Sequence, residues 1–241
     1  MKINLKRLKK NLNKLGQIGL EPEGGITRLA FTENYNQAIE FVKSLFEEAG
    51  LIVEEDPVGN LIGKKIGTTK DQSIIVGSHI DTVPQGGMFD GSLGVLSGLE
   101  CIETLIDHNY ENQYNLEVIS FIGEEGTNKL GGTFGSSCFA GEITIDDQLE
   151  AILPELGLTL EDITNSNRDS TTIKNYLELH PEQGPLLDEH KIPIGIVKGI
   201  VGITRYRAIV SGISNHAGTT RMEVRDDALL KASRIIIKLN Q

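Results

Sequence analysis

"SIIVGSHIDTVPQGGMFDGSLGVLSGLECIETLID", residues 73–107, decides the fold. Its opening, Ser73–His79, is a short apolar run rich in β-branched residues, the pattern of a buried strand. A glycine-rich loop follows, and Ser92 to about Asp107 reads as a helix. Beyond it, "NLEVISFIG" (115–123) is another strand with an apolar core. Strand, helix and strand in succession imply right-handed crossovers and a mostly parallel sheet with flanking helices, an α/β fold.

Outward from this unit the elements keep alternating. Near the N-terminus Ile3, Leu5, Leu8, Leu12 and Leu15 recur at helical spacing and describe an amphipathic helix. "NYNQAIEFVKSLFEEAG" (34–50) reads as a second helix closed by Gly50. Short β-rich runs follow at 51–55 and 59–66. Past residue 200, "VGITRYRAIVSGI" (201–213) alternates through Ile203, Tyr206, Ala208 and Val210 and reads as a strand of a second, smaller domain. The helix "ALLKASRIIIKLNQ" carries an apolar stripe through Leu229, Ile235, Ile236 and Leu239. A strand and a helix alone cannot close a two-layer domain, so 202–241 is expected to expose apolar surface.

The 241 residues are 39% hydrophobic and 24% charged with 27 glycines, an ordinary globular composition. A net charge of −11 argues against nucleic acid or an anionic membrane as partner. The two cysteines, Cys101 and Cys138, have no metal or redox spacing, which points to a reduced, cytoplasmic setting. The basic start lacks the apolar core of a secretory signal, and no apolar run approaches a membrane span.

Three clusters gather metal-capable side chains at strand ends, where open α/β sheets carry their ligands. In the first, His79 closes its strand, Asp81 follows two residues on, and Asp90 lies beyond the flexible "PQGGMF" loop. Asp81 can accept the second ring N–H of a ligating His79, fixing its tautomer. The same window also reads as a turn rich in Asp and Gly for conformational reasons alone. In the second, Glu124 and Glu125 end the next strand; one could bind metal while the other, facing away, acts as general base on a water. Simple solvation of adjacent acids is the competing reading. In the third, "YLELHPEQGPLLDE" (176–189), an alternating run delivers His180 to a strand end with Glu182 and Gln183 just beyond. A lone strand-end histidine is more often a packed core residue, and its weight here comes from being the third site of its kind.

"GSHIDTVPQGGMFDGSLGVL", "FIGEEGTNKLGGTFGS", "ELHPEQGP" and "SNHAGTTRM" together resemble the successive motifs of the N-carbamoyl-L-amino-acid hydrolase and allantoate amidohydrolase (hydantoinase/carbamoylase) family. That family is related to aminoacylases and carboxypeptidase G, and the resemblance runs over essentially the whole chain. It implies a zinc-exopeptidase-like catalytic domain over 1–200 and the start of a smaller α+β lid or dimerisation domain over 201–241. It implies two divalent metals, Zn, Mn or Co, with His79 and His180 on one, Glu125 on the other and Asp90 bridging both. Glu124 is then the general base, Asp81 orients the first histidine, and Gln183 lies near metal and substrate. His216 corresponds to a histidine that reaches across a homodimer to hold the substrate carbonyl. The implied substrate is a small ureido or acyl amino acid. His108 and His190 match no motif and read as solvent-facing.

Two departures accompany the matches. Arg221 stands where the family usually has proline, a tolerable loop change. The family also continues past the point corresponding to residue 241, where it supplies a further histidine to the second metal and the asparagine and arginine that bind the substrate carboxylate. The chain is therefore expected to be a fragment, a disrupted frame or half of a split enzyme. Two classes of function stand: a metal-dependent amidohydrolase of N-carbamoyl amino acids or allantoate, and an inactive remnant retaining partial metal binding. Aminoacylase or dipeptidase specificity is a further alternative.

Overall fold

Two parallel strands lie inside a five-stranded sheet, in a computed structural model that describes every residue except Lys70, Asn128, Ile203, Arg205 and Gln241. The chain divides into two compact units, Met1–Pro185 and Leu186–Gln241, ahead of the 200/201 boundary expected from sequence.

In the first unit, helices α1 (Leu5–Leu15) and α2 (Glu33–Glu48) precede strands β1 (Ile52–Glu55), β2 (Leu61–Lys65) and β3 (Ser73–His79). Helix α3 (Ser92–Asp107) and strand β4 (Asn115–Phe121) follow, then the short helices α4 (Phe134–Ala140), α5 (Asp147–Ile152) and α6 (Leu160–Asn165), and strand β5 (Ile173–Leu177). Asn4 caps α1 by accepting the Arg7 N–H at 3.1 Å. Leu8, Leu12 and Leu15 are buried along that helix. Ile3 lies ahead of the helix, and it and Leu5 are at least half exposed, so the apolar stripe is narrower than the sequence spacing suggests. Past α2, Gly50 takes φ +75°, a conformation that favours glycine.

The sheet order is β1-β2-β4-β3-β5. β3 runs parallel to β4 and to β5, while β1–β2 and β2–β4 are antiparallel. The sheet is thus mixed: the expected parallel pairing holds for β4, β3 and β5, and β2 adds antiparallel pairs with β1 and β4. The reason lies in the connections: a parallel return needs a crossover long enough to hold a helix, and neither β1–β2 nor β2–β3 has one.

Both faces of the sheet are covered. Leu61, Val95, Leu96, Leu99 and Val118 belong to the large core shared with α1, α2 and α3. Ile62, Ile75, Ile119 and Phe121 point the other way, against Phe139 of α4. Helix α3 comes unusually near the sheet because it presents glycine there. A Cβ on Gly94 would stand 2.6 Å from Leu179 O, and one on Gly98 would stand 3.0 Å from Val76 Cγ1. On its outer side, Arg7 of α1 reaches Glu100 and Asp107 of α3 at 2.7 and 3.0 Å.

The second unit contains α7 (Leu186–Glu189) and α8 (Ala228–Leu239), the latter capped by Asp227 accepting the Leu230 N–H at 3.0 Å. The strand expected over 201–213 is not formed among the described residues, and Ile203 of its alternation lies outside them. A strand needs a neighbour for its backbone N–H and C=O groups, and this unit contains no strand among the described residues. As expected, the α8 stripe is open to solvent: Leu229, Ile235, Ile236 and Leu239 are all exposed.

Candidate metal centre

Register brings the three clusters to one edge. His79 and Phe121 are partners at the ends of β3 and β4, so Glu124 and Glu125 emerge beside His79. Val76 pairs with Leu177, and the same parallel register continued beyond β5 sets His180 beside His79. The two imidazoles lie 6.1 Å apart, centroid to centroid.

Each imidazole has its Nδ1 engaged by a main-chain carbonyl. His79 Nδ1 is 3.0 Å from Asp81 O, and His180 Nδ1 is 3.0 Å from Pro181 O. A carbonyl only accepts, which assigns the hydrogen to Nδ1 and leaves the Nε2 lone pair free in the neutral ring. Both Nε2 atoms face Asp90 Oδ1, at 3.9 Å from His79 and 3.1 Å from His180. The ligand atoms of His79, Asp90 and His180 all lie within 4.8 Å of one another, close enough to hold one metal ion.

Asp90 is set up asymmetrically. Its Oδ2 accepts a hydrogen bond from Gln183 Nε2 at 2.7 Å, while its buried Oδ1 accepts none. An orphaned carboxylate oxygen turned toward two imidazole lone pairs is unfavourable unless positive charge stands between them. The surroundings of His79 make the same demand: burial lowers its pKa, but Asp81 and Glu125 outweigh that and raise it to about 9. Gly91, at φ +58°, leaves room for this geometry, since a Cβ there would stand 2.5 Å from His79 Nε2. These observations fit a divalent cation.

Asp81 does more than face His79. Its carboxylate is 3.6 Å from His79 Nδ1, and its two oxygens accept the Glu124 and Glu125 N–H groups at 3.3 and 3.1 Å. The fully buried Asp81 thus ties the end of β3 to the turn after β4. Glu125 Oε1 stands 3.9 Å from His79 Nε2. Burial raises the Glu125 pKa, His79 opposes this, and Asp90 adds to it. Glu124 turns to a different partner: its Oε1 accepts Ser136 N–H at 2.9 Å and its Oε2 accepts Ser136 Oγ–H at 2.7 Å. Burial raises its pKa in spite of those bonds.

Two residues of this edge lie outside the three clusters of metal-capable side chains. Ser136 holds Glu124 from the first turn of α4, and Arg28, wholly buried, bonds to Ile80 O between His79 and Asp81. His216 belongs to the second unit, where its Nδ1 accepts the Gly218 and Thr219 N–H groups at 3.1 and 3.2 Å. His108 and His190 are exposed.

A family model for Peptidase family M28 matches residues 60–184. The chain is 39% identical over 245 residues to an N-carbamoyl-L-amino acid amidohydrolase of Geobacillus stearothermophilus, covering 98% of this chain and 60% of that protein. It is 36% identical over 235 residues to an allantoate amidohydrolase of Bacillus subtilis, covering 93% and 57%. A hydantoinase/carbamoylase family amidase from Burkholderia multivorans superposes with a TM-score of 0.75 at 33% identity, over 99% of this chain and 60% of that one. The chain spans about 60% of the length of such relatives.

Proposed function

Because this chain belongs to peptidase family M28, we propose that it forms the metal-binding part of an amidohydrolase cleaving the C–N bond of N-carbamoyl-L-amino acids or allantoate. The observation that carries this reading is the convergence of His79, His180 and Asp90, whose ligand atoms all lie within 4.8 Å of one another. The relatives, named for N-carbamoyl amino acid and allantoate hydrolysis, supply the substrate class.

In this reading His79, His180 and Asp90 hold one divalent ion, and Asp90 with Glu125 contributes to a second; Zn, Mn and Co suit this nitrogen and oxygen donor set. Bound divalent ions lower the pKa of water and polarise a carbonyl, which an unreactive ureido group requires. Glu124 is the proton carrier. Its raised pKa keeps it able to take a proton from the attacking water and return it to the departing nitrogen. Ser136 fixes both carboxylate oxygens of Glu124 before that transfer. Gln183 orients Asp90 through its Oδ2. His216, with Nδ1 accepting, carries its hydrogen on Nε2 and can donate to a substrate carbonyl as negative charge develops there. A homodimer and a cytoplasmic location accompany this proposal. Among the described residues no helix is long and apolar enough to cross a membrane.

The test is hydrolysis of N-carbamoyl amino acids and allantoate, with Mn or Zn added, by the protein that carries this chain. Glu124→Gln should lower kcat by at least about 100-fold while calorimetry shows unchanged Zn binding. Absence of hydrolysis of every ureido and acyl amino acid tried would refute the reading. A single Zn per chain without turnover would favour a remnant that only binds metal.

A further inference from the structure

Arg28 is among the largest side chains wholly buried in the first unit. It ends a short segment that runs beside the loop following β3. Ile26 and Gly86 exchange backbone hydrogen bonds at 2.9 and 2.8 Å, and Thr82 N–H donates to Arg28 O at 3.0 Å. The four bonds from the guanidinium go to neutral acceptors. Nε donates to Ile80 O at 2.7 Å, Nη1 to Leu15 O and Ile18 O at 3.0 Å each, and Nη2 to Ser92 Oγ at 3.1 Å.

The positions of these acceptors matter. Ile80 lies between His79 and Asp81, at the start of the loop. Ser92 opens α3 just past Asp90, and its N–H donates to Asp90 O. One planar fork therefore grips both ends of the loop that separates two of the candidate ligands. The Nη1 bonds anchor that fork to the C-terminal end of α1, where exposed carbonyls favour a cation. Burial pulls the Arg28 pKa down to about 10, with Asp81 the largest opposing influence, so the group stays charged at neutral pH.

We propose that Arg28 is a positioning residue for the metal centre, setting the separation of His79 Nε2 and Asp90 Oδ1 by clamping Ile80 O and Ser92 Oγ to one guanidinium. The proposal rests on the metal-binding reading above. The fork, more than the charge, does the clamping: a lysine ammonium is a point donor without fixed angles and cannot bond both acceptors in the same geometry.

The experiment is a Co(II) titration of the full chain, followed by visible d–d absorption and by competition with a chelator. Arg28→Lys is expected to weaken Co(II) binding by about 10- to 100-fold, the range for groups that orient metal ligands, and to shift the absorption bands. Ser92→Ala, which removes one hydroxyl, should move both readouts the same way by less. Glu117→Gln serves as the control, because Glu117 is a buried carboxylate of β4 bonded to Ser73 and Arg168, toward the other end of the strands. It should lower the melting temperature and leave Co(II) affinity unchanged.

A folded Arg28→Lys with wild-type affinity and spectrum overturns the proposal. If Arg28→Lys does not fold, unchanged binding by Ser92→Ala overturns it. Equal weakening in Glu117→Gln also overturns it, by showing that loss of stability alone loosens the site. No Co(II) binding by the wild-type chain overturns the metal reading itself, and the role of Arg28 with it.

Discussion

Asp56, in "DPVGN" (56–60), and Asp90, in "PQGGMFDG" (84–91), sit in loops of similar composition at the sheet, yet their carboxylates live differently. Asp56 belongs to the antiparallel half, in the turn between β1 and β2. Its Oδ1 accepts the N–H groups of Val58, Gly59 and Asn60 at 3.1, 3.0 and 2.9 Å, and its Oδ2 accepts Asn60 Nδ2 at 2.7 Å. Asp90 belongs to the parallel half, after β3, and its Oδ1 is left without a hydrogen bond while two imidazoles face it. The first carboxylate serves its own turn. In the proposed function the second is the one that serves a cation. What separates a conformational aspartate from a candidate ligand is thus its unmet bonding, which composition cannot reveal.

Gly91→Ala should break the comparison most severely. The added Cβ meets His79 Nε2 and the backbone favours glycine, so Zn affinity should fall by more than about 100-fold in calorimetric titration. Asp90→Asn and Asp56→Asn then sharpen it as a pair. Asp90→Asn should cut Zn affinity about 10- to 100-fold while leaving the metal-free melting temperature unchanged or raised, because the charge on a carboxylate whose buried Oδ1 has no hydrogen bond is removed. Asp56→Asn should cost about 1–3 kcal/mol in denaturant unfolding and leave Zn affinity within about twofold. Equal responses of the two variants would show that the aspartates are not distinct in kind.

The smallest effect concerns Glu117, which joins the two halves through Lys64 of β2 and Ser73 of β3. Burial alone would raise its pKa, but Ser73, Arg168 and Lys64 together bring it below the ordinary 4.5. A carboxyl whose folded-state pKa is depressed stabilises the fold above its unfolded value and loses that contribution as pH falls through the folded one. Unfolding free energy should therefore decline on acidification below about pH 4.5, and less steeply in Glu117→Gln. Identical slopes would remove Glu117 from the account of acid stability.

Local patterns were readable from the chain itself. The apolar run ending at His79 and the helix from Ser92 to Asp107 stand where periodicity puts them, and with them the ends at which His79, Glu124 and His180 appear. The parallel pairing of β3 with β4 was readable from the helix between them, while the antiparallel pairs of β2 were not, because they depend on connections too short to hold a helix and on where β2 finds its neighbour. Arg28 and Ser136 were hidden for a different reason. Arg28 bonds to residues 52 and 64 positions away, and a buried arginine among neutral carbonyls leaves no mark in spacing or charge pattern. Ser136 reaches Glu124 through a helix turn rather than through any repeat.

The pairing of β5 beside β3 carries one more consequence. β5 is an edge strand with Tyr176 and Leu177 open to solvent, and its contacts to β3 span about a hundred residues of chain, as in the 2.6 Å bond from Ser78 Oγ to Glu178 Oε1. Such non-local pairing is slow to form and the first to fray. An ion held by His79 and His180 would rivet this outermost strand to the centre of the sheet. Metal uptake would then register the completion of folding, and hydrogen exchange along Ile173–Leu177 would slow on loading more than anywhere else in the sheet.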